Sequence, residues 1–103
     1  MVILVMGQIK LAAGQGAQAA QLFADHQLKV RAEEGCEHYA FALDVADPDL
    51  VHVAERWASA EAIAAHGQQD HQKAFGRALM AQGVEKISVK AWDGEFWRTL
   101  IGE

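Results

Sequence analysis

The sequence predicts an α+β fold whose elements run β, α, β, β, α, β around an antiparallel sheet. Three observations carry this. Residues 38–45 and 50–57 each alternate apolar and polar side chains, and the only proline lies between them in Asp47-Pro48-Asp49, so the pair reads as a β-hairpin. Residues 17–34 contain neither Gly nor Pro and are rich in Ala, Gln, Leu, Glu and Lys, which favours a helix. A second helical stretch, about 69–82, is followed by a further alternating segment, 84–92.

Each element has its own local reason. Val2-Ile3-Leu4-Val5-Met6 is an unbroken, β-branched apolar run, the pattern of a strand covered on both faces. Gly14-Gln15-Gly16 then punctuates the chain. In the first helix Ala19, Ala20, Phe23, Gln27 and Val30 follow helical spacing and define the stripe expected to be buried, with Leu22 and His26 at its edge. Gly35 is placed to end this helix in the left-handed conformation. In the hairpin Tyr39, Phe41, Leu43 and Val45 share one face, opposite His38, Ala40, Ala42 and Asp44. On its second strand Val51, Val53, Glu55 and Trp57 oppose Leu50, His52, Ala54 and Arg56. Ser59 is the expected N-cap of a short helix that carries Glu61 in its first turn and stops near Gly67. The next helix is expected to bury His71, Phe75, Ala78 and Leu79 and to end at Gly83. The last strand sets Ile87, Val89 and Ala91 on one face and leads into an apolar tail of Phe96, Trp97, Leu100 and Ile101. The whole is the split βαβ, or ferredoxin-like, arrangement.

The length of 103 residues sets one domain, 1–103. Fourteen acidic against nine basic residues give a net charge of -5, with no basic stripe, so nucleic acid and anionic membrane are not expected partners. The apolar start is too short for a signal sequence, no stretch has transmembrane length, and the single cysteine makes no intrachain disulfide, so a cytoplasmic location is the default expectation. Helices on one face of the sheet leave the other face open and apolar. A homodimer is therefore expected, sheet against sheet, with the tail from Phe96 to Ile101 crossing to the partner.

Glu34-Gly35-Cys36 followed by Tyr39, the Asp-Pro-Asp turn, Glu55-Arg56-Trp57-Ala58-Ser59 and then Ala65-His66 form a spaced series. In this the chain resembles the antibiotic biosynthesis monooxygenase family over nearly its whole length. The resemblance implies a dimeric α+β barrel with an apolar cavity between sheet and helices in each subunit. It also implies oxygenation of quinols or phenolic polyketides without a cofactor. The family further includes haem-degrading enzymes and isomerases of small phosphorylated sugars. The haem-degrading branch depends on an Asn together with a Trp and a His, and this chain has no Asn. The aromatic-polyketide branch also uses an Asn near its substrate, so its detailed mechanism does not carry over.

His66, one turn after Ile63 on the side expected to face the sheet, is the leading candidate for the base that takes a phenolic proton. Glu55, a carboxylate on an otherwise apolar strand face, needs a partner or a raised pKa, and pairs with a cation or orients a His. His71, one turn before Phe75, is a second proton-transfer candidate beside a purely structural reading. Trp57, Tyr39, Phe41, Phe75, Phe23 and His26 are the candidate walls of a substrate cavity, and most of them serve equally as core. His38, His52 and Arg56 fall on the opposite, dimer-facing side. Neither His-x-x-x-His nor Cys-x-x-Cys spacing occurs, so no metal site and no cofactor are assigned. Glu33, Glu34 and Glu37 surround Cys36, and acidic neighbours raise a thiol's pKa, which argues against a nucleophile. The expected partners are a small aromatic substrate and molecular oxygen. An isomerase of a small carbonyl compound on the same scaffold and a non-catalytic aromatic-binding module are the alternatives.

Overall fold

A computed structural model describes residues 1–103. Strand β1 spans Val2–Leu11, helix α1 Gly16–Arg31, strands β2 and β3 Cys36–Leu43 and Leu50–Trp57, helices α2 and α3 Ala60–Gly67 and Asp70–Gln82, and strand β4 Val84–Gly94. The four strands form one sheet in the order β2-β3-β1-β4, antiparallel throughout, which is the expected ferredoxin-like α+β architecture.

Register decides what shares a face. Val5 lies opposite Glu55, which lies opposite Tyr39, and Gly7 lies opposite Val53, which lies opposite Phe41. These rows face the helices. Ile9, Leu11, Ala19, Phe23, Val51, Val53, Phe75 and Leu79 form one buried cluster, and Ile3, Val5, Val30, Tyr39 and Trp57 form a second. Burial of this size, not helix propensity, holds helices as short as α2 in place. No helix is long and apolar enough to cross a membrane.

Several local expectations need correction. β1 continues to Leu11 and is covered on one face only: Ile3, Val5 and Ile9 are buried, while Leu4 and Met6 are exposed, because all three helices pack on one side. In α1 His26 belongs to the buried stripe, Gln27 is half-buried and Ala20 is exposed. In α3 Ala78 is exposed and His71 is half-buried. β2 begins at Cys36 and stops at Leu43, short of Val45. There Asp44 accepts the backbone N–H groups of Ala46 and Asp47 at 2.9 and 3.1 Å, drawing the chain into a turn. Ser59 does cap α2, accepting from Ala62 N at 3.1 Å.

Helix α1 is clamped to the hairpin. Asp49 accepts from the backbone N–H groups of Gly14 and Gly16 at 3.0 and 2.9 Å. Lys10 pairs with Asp47 beside it. Gly35 does not cap α1, whose C-cap is Ala32, but turns the chain into β2 with φ 81°. A Cβ there would lie 2.5 Å from Ala62 Cβ, so the turn is pressed against α2. Gly35→Ala is expected to cost about 1–2 kcal/mol from the left-handed backbone and the contact together. A urea denaturation midpoint equal to wild type would contradict this.

Candidate active site between the sheet and helix α3

Between α3 and the helix-facing side of the sheet lies a cavity of about 310 Å³. Tyr39 and Phe41 from β2, Val53 and Glu55 from β3, Ile9 from β1, and Ile87 and Val89 from β4 form its floor. Gln72, Phe75, Gly76, Leu79 and Met80 from α3 form its roof. Nine of these twelve residues are hydrophobic, so the Glu55 carboxylate, the Gln72 amide and the Tyr39 hydroxyl supply its side-chain polarity. An apolar pocket with a few convergent polar groups is the general form of a small-molecule site.

Glu55 has no cationic partner; it accepts the Trp57 indole N–H at 2.8 Å, so the expected ion pair is replaced by an indole hydrogen bond. Burial raises its pKa above the usual value of 4.5, opposed by that hydrogen bond and by nearby His66. Tyr39 is buried, and its phenol is pushed up by desolvation and then by the charges of Glu55 and Glu33. It therefore stays neutral and can donate a hydrogen bond.

The other candidates divide. Phe75 and Phe41 line the cavity with Tyr39. Trp57 is fully buried and does not line it, but packs against the His66 ring at 4.8 Å. Phe23 lies with Phe41 at a separate recess of about 120 Å³ between α1 and the β2 edge. His26 and His71 border a third space of about 230 Å³, a groove between α1 and α3. His26 stacks flat on Phe75 at 3.9 Å and bonds Gln72 through Nε2 at 2.7 Å. Burial lowers its pKa from 6.5 to about 4, so it is neutral at physiological pH.

His66 is buried and lies behind the cavity wall, its ring 5.7 Å from that of Tyr39. Its Nδ1 contacts Glu33 at 3.0 Å, and His71 Nε2 contacts the same carboxylate at 2.7 Å. Glu33 is the site residue that sequence reasoning missed. Its signal was phase: Ala19, Phe23, His26, Val30 and Glu33 continue one helical stripe, so a carboxylate stands at the next inward position. Gln72, three residues before Phe75 on α3, was missed in the same way. The Cys36 thiol is raised, first by burial and then by Glu33 and Glu55, which agrees in direction with the sequence reading but not in its leading cause. His38 and His52 fall on the opposite sheet face, where His52 contacts Asp44 at 2.7 Å.

A family model described as antibiotic biosynthesis monooxygenase matches residues 2–78. Among solved structures, a provisionally assigned antibiotic biosynthesis monooxygenase from Deinococcus radiodurans superposes with a TM-score of 0.89 at 24% identity, covering 99% of this chain and 100% of that one. A provisionally assigned protein of the same description from Caulobacter crescentus gives a TM-score of 0.84 at 26% identity, covering 92% of this chain and 91% of its own. A protein from Mycobacterium tuberculosis gives 0.81 at 18% identity over 96% of this chain and 100% of its own. No curated protein sequence matches the chain.

Proposed function

Because the chain belongs to the antibiotic biosynthesis monooxygenase family, we propose that it is a cofactor-independent monooxygenase oxidising a small quinol or phenol with molecular oxygen. The observation that carries this reading is the cavity of about 310 Å³ in which one carboxylate with a raised pKa and one neutral phenol stand among hydrophobic walls. Its size suits a substrate of one or two fused rings. A substrate hydroxyl beside Glu55 gives its proton to the carboxylate. The resulting phenolate is electron-rich enough to pass one electron to oxygen directly. The radical pair combines into a hydroperoxide on a ring carbon, which loses water. For a hydroquinone the balance is quinol plus oxygen to hydroxyquinone plus water. Tyr39 donates to the developing oxyanion, and the apolar walls keep the charges unscreened.

Glu55 takes the role of the base that touches substrate, because it lines the cavity and His66 does not. His66 acts from behind, where its charge favours the ionised form of Glu55. The test is oxygen uptake by the purified protein over a panel of hydroquinones, against the autoxidation blank. Uptake well above the blank is expected, and His66→Ala is expected to lower it about tenfold. Turnover that persists without oxygen would replace this reading with an isomerase. Saturable binding of an aromatic compound without turnover would replace it with a binding module.

We also propose a homodimer through the open sheet face. In a single chain Leu4, Met6 and Trp92 stand exposed on that face beside Ala40 and Ala54, and Phe96, Trp97, Leu100 and Ile101 are three-quarters or more exposed. Apolar surface so extended is characteristic of an interface. The protein is expected to sediment as a dimer at micromolar concentration, and Trp92→Asp to shift it to monomer. A wild-type protein sedimenting as a monomer would overturn this.

A further inference from the structure

We propose that Glu33 is a positioning residue that holds His66 by Nδ1 and His71 by Nε2, so that the His66 ring is fixed in one tautomer with Nε2 as its free, proton-accepting nitrogen. This rests on the oxygenase reading only for its place in turnover. The clamp itself is a property of the fold. The Glu33 side chain is 8% exposed, and both of its hydrogen-bonding neighbours are imidazoles from other elements, His66 on α2 and His71 on α3. A carboxylate only accepts, so the nitrogens that touch it carry the protons. That fixes His66 as the Nδ1–H tautomer when neutral. Its Nε2 makes no hydrogen bond to any protein group, and no fully buried side-chain nitrogen or oxygen is left without a partner, so Nε2 borders accessible space.

The other groups around the cluster are His26 and Arg31 on α1, Cys36 and Tyr39 on β2, and Glu55 on β3. Arg31 donates to the Tyr39 carbonyl at 2.8 Å and does not touch Glu33. His71 is about one quarter exposed and borders the α1–α3 groove, whereas His66 is buried behind Tyr39 and Trp57. The trio therefore links the wall of the cavity to the groove between α1 and α3.

The test uses imidazole nitrogen shifts of the full-length protein by NMR at pH 9, for wild type, Glu33→Ala and Glu33→Asp. Expected in wild type is an Nδ1–H tautomer for His66. In Glu33→Ala, which removes the acceptor, the tautomer preference is lost. A His66 tautomer unchanged by Glu33→Ala overturns the proposal. This readout requires no turnover, so it stands or falls apart from the oxygenase reading. Where quinol turnover is measurable, Glu33→Ala is expected to lower kcat about tenfold with KM little changed. A KM effect alone also overturns it. Glu33→Asp, which keeps the carboxylate, is expected to restore part of kcat and the tautomer preference; behaviour identical to Glu33→Ala would mark a merely structural contact.

Discussion

Glu55→Gln is expected to lower kcat/KM for quinol oxidation by roughly 10²–10³-fold, the range for loss of a general base. At the same time it is expected to raise the melting temperature at pH 8. The two effects have opposite signs for one reason. Burial raises the pKa of Glu55 above 4.5, so ionising it costs more in the fold than in the unfolded chain. The stability this group contributes is complete below the unfolded value and is lost as pH rises through the folded one. The base, however, works only when ionised. Wild-type activity should therefore rise with pH through an inflection above 4.5 while stability falls through the same window. Gln still accepts the Trp57 indole N–H through its amide oxygen, so the hydrogen bond at 2.8 Å need not be lost. Melting curves at pH 4 and pH 8 separate the terms: the variant should gain at pH 8 and not at pH 4. A variant that keeps wild-type turnover would remove Glu55 from the chemistry.

The second large effect is acid destabilisation through His26. Its folded pKa of about 4 lies below the ordinary 6.5, because burial disfavours the charged ring. A base with a depressed pKa contributes stability that is present above 6.5 and disappears as pH falls through about 4. At 1.36 kcal/mol per pKa unit this corresponds to about 2 kcal/mol lost by pH 4.5. His26→Phe keeps a flat ring stacked on Phe75 but cannot be protonated. Urea unfolding at pH 7 and pH 4.5 should show the wild type losing about 2 kcal/mol more than the variant. Parallel losses in the two proteins would show that His26 does not drive the acid transition. Because His26 and Phe75 are stacked and Phe75 lines the cavity, the same protonation should loosen its roof.

The fold was legible because its signals are local. Alternation in 38–45 and 50–57, the Asp-Pro-Asp turn, Ser59 and the Gly-free helical stretch each act over a few residues, and each marks a real element, although β2 stops at Leu43 and α1 at Arg31. The site was legible in part. Tyr39, Phe41, Glu55 and Phe75 share the cavity as the alternation and helical spacing suggested. Two differences came from competition that a sequence does not display. Glu55 was expected to need a partner or a raised pKa; its pKa is raised, and its donor is not a cation but Trp57, two residues on along the same strand face. His66 was expected to meet substrate, but the side chains of Tyr39 and Trp57 stand against its ring.

The sequence by itself determined which elements form, their order, and which residues lie on the same side of each, since backbone periodicity and capping are set by near neighbours. The tertiary structure alone decided which inward residues meet across elements. Glu33 follows α1, His66 lies on α2 and His71 on α3, separated by up to 38 positions in the chain. Only the packing of three helices on one sheet face turns them into a single buried cluster. Which side chains line open space and which fill the core was decided there too, because that depends on the gap left between α3 and β4, not on the character of any one residue.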